Sequence, residues 1–117
     1  MGAYSPVPFI SDSVKAEALE KIIRPVAEAL VKEEVPFTGI LYGGLIQTNE
    51  GPKVIEFNAR FGDPETEVVL PRMESDIYDL FNAAIDGADY EIKWSPDACL
   101  GFVLASKGYP GDYESGK

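Results

Sequence analysis

Histidine is absent from the 117 residues, so no imidazole can serve as general base, proton shuttle or metal ligand. Cysteine occurs once, at Cys99, which excludes an internal disulfide and suits a reducing cytoplasm. Its setting in the apolar run ACLGFVLA reads as a core thiol. Uninterrupted apolar stretches are short, and none approaches the roughly 18 residues of a membrane span. The opening MGAYSP has Pro6 where a myristoylation signal needs Ser or Thr, so a lipid anchor is not expected. Basic residues are scarce, with ten Lys and Arg against twenty Asp and Glu. A net charge of -10 repels phosphate backbones and anionic lipid, which argues against nucleic-acid and membrane partners. An acidic protein that handles an anionic substrate needs a divalent cation as intermediary.

What remains is the composition of one small globular domain, 45% hydrophobic and 26% charged. Leu19, Ile22, Ile23, Val26, Leu30 and Val31 recur at helical spacing and predict a helix from Asp12 or Ser13 to Glu34. Pro25 inside it predicts a kink or two helical pieces. FTGILYGGLIQ and KVIEFNAR, separated by TNEGP, predict two antiparallel strands. Gly39, Gly43 and Gly44 in the first of these signal a bulge, a close backbone approach, or mere relief of crowding. A short helix is expected over Glu65 to Leu70, ended by Pro71. A second, capped by Ser75 and closed by Gly87, carries Ile77, Leu80, Phe81, Ala84 and Ile85 on one face. YEIKW and ACLGFVLAS read as further strands, the latter central. The fold class expected is α+β, an antiparallel sheet with flanking helices.

On a strand over residues 53 to 60, Val54, Glu56, Asn58 and Arg60 would share one face, with Ile55, Phe57 and Ala59 on the other. Neighbouring same-side positions lie about 6.6 Å apart, close enough for a carboxylate and a carboxamide oxygen to bind one cation or a close pair. So few hard oxygen ligands suit Mg²⁺, which keeps waters and takes phosphate oxygens from a substrate. Arg60 would add a fixed positive charge where a transferring phosphoryl group develops negative charge. A solvated sheet face shows the same alternation, so spacing alone leaves both readings open.

The longer string IEFNARFGDPETE, preceded by YGGL and MGAYSP, resembles the C-terminal part of the ATP-grasp domain of the phosphoribosylamine–glycine ligase family, over nearly the whole chain. That resemblance implies an ATP-dependent ligase joining glycine to 5-phosphoribosylamine in purine synthesis, through a glycyl phosphate, with release of ADP and phosphate. It implies that Glu56 and Asn58 are ligands of Mg²⁺ or Mn²⁺ and that Arg60 is the catalytic arginine. Gly62, Asp63, Pro64 and Glu65 are expected on the substrate side; a capped helix start, with Asp63 satisfying backbone N–H groups, is the alternative. Tyr4 and Ser5 are expected near the glycine or amine substrate. Leu45, with Tyr42 and Ile46, reads as core or as an adenine-side wall. The expected division is 1–95 as the C-terminal lobe of an ATP-grasp domain and 96–117 as the start of the following domain. A glycine-rich loop and the lysines of an earlier lobe are missing, so the chain is expected to be an inactive fragment, disposed to form a homodimer through exposed surfaces. Other ATP-grasp carboxylases or ligases, and a non-catalytic binding module, are the alternatives.

Overall fold

The computed structural model describes residues 1–116. In chain order the elements are β1 (Gly2–Ser5), α1 (Asp12–Ala18), a π-helical turn (Leu19–Ile23), α2 (Arg24–Lys32), β2 (Tyr42–Thr48), β3 (Gly51–Asn58), α3 (Thr66–Val69), a 3-10 turn (Leu70–Arg72), α4 (Ile77–Asp86) and β4 (Cys99–Phe102). They form two antiparallel two-stranded sheets, β1 with β4 and β2 with β3, flanked by helices. The class is α+β.

Ser11 starts the long helix, its side chain accepting from the Val14 N–H. Pro25 has no N–H to return to Lys21, and the chain answers with the wider turn before it, in which the Arg24 N–H bonds Leu19 O. The expected interruption is therefore a π turn between two α segments. Exposed pairs Lys21–Glu17 at 2.8 Å and Arg24–Glu20 at 3.0 Å lie along its outer face, where solvent screens them. The helix stops at Lys32, two residues short of Glu34, which itself turns left-handed at φ 62.

The β2–β3 hairpin turns tightly between Thr48 and Gly51. Gly51 stands at φ 97, open to glycine at little cost, and Thr48 Oγ1 both donates to Gly51 O (2.8 Å) and accepts from the Glu50 N–H (3.1 Å). β2 starts only at Tyr42, so Phe37 to Leu41 lie outside the strand expected there. A register shift falls between Gly44, paired with Glu56, and Leu45, paired with Val54, leaving Ile55 as the extra residue. The π turn packs on one face of this hairpin. A Cβ built on Gly43 would sit 2.7 Å from Ile23 Cδ1 and 3.6 Å from the Phe57 ring, so the glycine admits the helix.

α3 packs under the β1–β4 sheet. Val68 is its anchor, only 1% exposed, and a Cβ on Gly101 would lie 3.1 Å from Val68 Cγ1. Pro71 does not end helical structure outright; it sits in the 3-10 turn that follows α3. α4 is capped by Asp76, whose carboxylate accepts from the Tyr78 N–H at 2.8 Å, and closed by Gly87 in the left-handed region at φ 68. Ser75, expected as the cap, instead accepts from the Lys93 N–H at 2.8 Å.

Two strand expectations are corrected. YEIKW forms no strand, and its trace is a single bridge between Met73 and Trp94. Within ACLGFVLAS the strand is confined to Cys99–Phe102, and among the described residues β1 is its one neighbouring strand. A central strand needs partners on both edges, and without them Leu100 and Phe102 stay 63% and 76% exposed. The pairing also joins β4, within 96–117, to β1, within 1–95.

The surface is large for the mass. A compact monomer of 12.8 kDa exposes about 6,300 Å², against 9118 Å² here. The radius of gyration is 16.9 Å, where a compact chain of this length has about 13 Å. Leu104, Ile85 and Tyr78 are among many large apolar side chains left in solvent.

Candidate functional site

Cross-strand partners share a face, so the register groups Tyr42 with Asn58 and Gly44 with Glu56 on the side away from the helix. Gly43, Leu45 and Phe57 take the helix side. Val54 pairs with Leu45, on the opposite face from Glu56. The expected four-residue row is thus broken by the bulge: Glu56 and Asn58 remain together, and Val54 is removed. Arg60 lies beyond the end of β3, in a bend, with Nη1 donating to Phe61 O at 2.8 Å.

Glu56 and Asn58 meet directly. Asn58 Nδ2 donates to Glu56 Oε1 at 2.9 Å. Because an ionised carboxylate only accepts, this bond fixes the amide orientation and leaves Asn58 Oδ1 and Glu56 Oε2 as open oxygens. Gly44 opposite keeps the space clear, since a Cβ there would come within 3.1 Å of Glu56 Cγ. Among the described residues no group of three or more His, Cys, Asp or Glu could hold a metal ion. A cation here would have two protein oxygens and would draw the rest of its shell from water and phosphate, the coordination Mg²⁺ favours. The donor set fits such an ion.

Beside this pair, Gly62 packs against Tyr42 and Glu65: a Cβ on Gly62 would fall 3.1 Å from the Tyr42 ring and 2.5 Å from a Glu65 carboxylate oxygen. Tyr42, Gly62, Glu65 and Thr66 line a cleft of about 260 Å³ with Phe61 and Leu70. Burial pushes the Tyr42 phenol up from its ordinary value, reinforced by a hydrogen bond and charge from Glu65 and by the charge of Glu56, while Arg60 opposes them. Thr66 closes the turn, its hydroxyl and N–H both donating to Gly62 O. Asp63 is exposed, Pro64 is buried, and α3 begins with no side-chain cap, so the capped-start alternative for Asp63 has no hydrogen bond behind it.

The structure therefore brings Glu56, Asn58, Arg60, Gly62 and Glu65 to one region. Tyr42, read from sequence as core or wall, joins them; the signal was its even spacing from Gly44 on a strand facing Glu56. Tyr4 and Ser5 lie on β1, and the Ser5 hydroxyl accepts from Arg72 Nη1 at 2.7 Å rather than approaching Glu56. Leu45 is on the helix side and lines a separate cleft with Ile10, Val14 and Ala18, which favours its core reading.

The tyrosine gives a pH prediction. A phenol whose folded value is raised holds its proton more tightly folded than unfolded. Its stabilising contribution is full below the unfolded value near 10 and fades as pH climbs through the raised one. Tyr42→Phe should therefore flatten the alkaline loss of stability and remove a late-ionising phenol from an ultraviolet phenolate titration. If the substitution removes a tyrosine of ordinary titration, the environment described for it is wrong.

A profile of the phosphoribosylglycinamide synthetase ATP-grasp (A) domain matches residues 1–66, more than half of the chain. The chain belongs to the phosphoribosylglycinamide synthetase family. Its relatives include the phosphoribosylamine–glycine ligase of Halalkalibacterium halodurans, 59% identical over 116 residues, covering 99% of this chain and 27% of that protein. The ligase of Listeria innocua is 60% identical over 117 residues, 99% of this chain and 28% of its own length. That of Streptococcus pneumoniae strain R6 is 51% identical with the same coverage. The chain thus spans little more than a quarter of the relatives it matches. Within the family's architecture the fold described above is a partial ATP-grasp lobe.

Proposed function

We propose that this chain is the metal- and phosphate-holding portion of an ATP-dependent ligase that joins glycine to 5-phosphoribosylamine, giving glycinamide ribonucleotide, ADP and phosphate. The observation that carries the reading is the hydrogen-bonded Glu56–Asn58 pair, with two open oxygens on a strand face kept clear by Gly44. Names of close relatives support the substrate pair over other ATP-grasp carboxylases or ligases.

In this reading Glu56 and Asn58 hold Mg²⁺ or Mn²⁺, which would neutralise and orient the phosphate oxygens of ATP. Arg60, just past the strand end, offers forked donors to the transferring phosphoryl group or the acyl phosphate. Gly62, Asp63, Pro64 and Glu65 shape the substrate side, where Glu65 and Tyr42 hold each other. Tyr4 and Ser5 border the glycine or amine substrate from β1. Residues 96–117 begin the following domain and lend β4 to the sheet with β1. A cytoplasmic setting accords with the chemistry; no described helix is long and apolar enough to cross a membrane. The isolated chain forms a homodimer through its exposed apolar surface, which sedimentation equilibrium tests by returning twice the monomer mass.

Phosphoryl transfer depends on positioning and charge neutralisation, and a metal-bearing segment alone supplies a fraction of both. The purified chain should give no glycinamide ribonucleotide above a buffer blank with ATP, glycine and 5-phosphoribosylamine; formation above the blank refutes this. The function itself is tested by exchanging the matching segment of the Listeria innocua ligase for this chain. A chimera that folds and turns over supports the reading. One that folds, binds ATP and makes no product favours the non-catalytic module, as does a lack of Mg²⁺-dependent NMR shifts at Glu56 and Asn58 in its ADP complex.

A further inference from the structure

A second cleft, of about 580 Å³, opens between the segment leaving β1 and Trp94. Val7, Ile10 and Trp94 make its apolar walls, and its polar groups are Ser5, Lys15 and Arg72. No described lining residue is acidic, in a chain with twenty carboxylate side chains. Val69 lines both this cleft and the one beside Tyr42, so the two meet at that residue; Ser5, assigned above to the substrate side, lies in this one, whereas Glu56 lines neither and its reading is not used here.

Arg72 is the unusual member. Its guanidinium is half-buried and donates to Asp97 O (2.8 Å), Ser5 Oγ (2.7 Å) and Ser95 O (2.8 Å), all neutral acceptors. None of the ion pairs among the described residues includes it. A guanidinium has five N–H donors; with one each of Nε, Nη1 and Nη2 engaged, one remains on each terminal nitrogen. Those two remain to donate to an oxyanion. Lys15, at the rim, is held only by Asp12 at 2.9 Å, whose side chain is 98% exposed, so its ammonium is free to turn inward at little cost.

We propose that this cleft binds a small organic oxyanion, a carboxylate or phosphate monoester carrying an apolar or planar body. The oxyanion is held by Arg72 with help from Lys15, and the body lies among Val7, Ile10 and the Trp94 indole. Holding the charge in a fixed fork while the body displaces water from the apolar wall accounts for both halves of the lining.

Trp94 is the one tryptophan in the chain, so its fluorescence reports the cleft directly. Benzoate and phenyl phosphate are titrated into the full chain at constant ionic strength, with sodium chloride and benzyl alcohol as controls, while the Arg72 Nε–H resonance is followed by NMR. At least one oxyanion should give a saturable change at both Trp94 and Arg72, and the two arms tell which head group the fork prefers. Lys15→Gln leaves the Arg72 clamp intact and should weaken that binding about threefold, the scale of one rim charge. Arg72→Lys, which keeps the charge and loses the fork, should abolish saturation in a sample whose circular dichroism is unchanged. The proposal is overturned if neither oxyanion saturates, if benzyl alcohol binds as tightly as benzoate, or if Lys15→Gln leaves the dissociation constant unaltered.

Discussion

Glu56→Gln, placed in an active chimera with the Listeria innocua ligase, should lower kcat by about 10²-fold or more, the range seen when a charge-stabilising group is removed from a polar site. The change is nearly isosteric. The amide oxygen of glutamine can still accept from Asn58 Nδ2, so the 2.9 Å contact and the strand face survive while the negative charge is lost. Gly44 leaves room for the new amide as it did for the carboxylate. Since Asn58 Oδ1 alone would remain as a charge-poor ligand, the apparent affinity for Mn²⁺ should fall together with kcat, and raising Mn²⁺ should restore part of the rate. Unchanged circular dichroism with a rate within a few-fold of the parent would show that this carboxylate does not hold the metal.

Val68→Ala is the second large effect, and it acts on the fold. Removing two methyl groups from a side chain 1% exposed should cost about 2 kcal/mol. Domains have only about 5–15 kcal/mol of net stability to lose, and few other side chains here are buried. Gly101 on one side cannot move into the gap without carrying β4 with it, so the cavity should persist. Urea unfolding should shift to lower midpoint without a change of slope. Leu104→Ser, at a position 95% exposed, serves as the contrast and should stay within about 0.5 kcal/mol of the parent. Equal effects for the two would mean that α3 and the β1–β4 sheet do not form the anchor described.

Local signals were legible where one residue dictates the outcome. Pro25 announced a break in the long helix, Gly87 the left-handed cap of α4, and the TNEGP turn the β2–β3 hairpin. Glu56 and Asn58 could be paired by counting, because two steps along a strand return to the same face. Where sequence reasoning failed, the deciding information was tertiary. The glycines of YGGL signalled a bulge or a close approach, and both occur, yet only the register tells that the extra residue is Ile55 and that Val54 thereby leaves the row. YEIKW has the composition of a strand, but a strand exists only against a partner, and Trp94 finds one bridge. ACLGFVLAS reads as central because it is apolar; that hydrophobicity is instead exposed. Arg72 carried no motif at all, and its importance appears only when Ser5, Ser95 and Asp97 converge on it.

The bulge has a mechanical consequence for the hairpin. Slipping the two strands by a single step would swing Glu56 under the helix and bring Ile55 to the open side, destroying the paired oxygens. With the irregularity seated between Glu56 and the hairpin tip, the ladder on the Tyr42 side is keyed separately from the ladder on the Thr48 side. Length changes at Asn49 and Glu50 are thereby absorbed before they reach the pair, so a tag or fluorophore can be grafted at that tip while Glu56 and Asn58 keep their alignment.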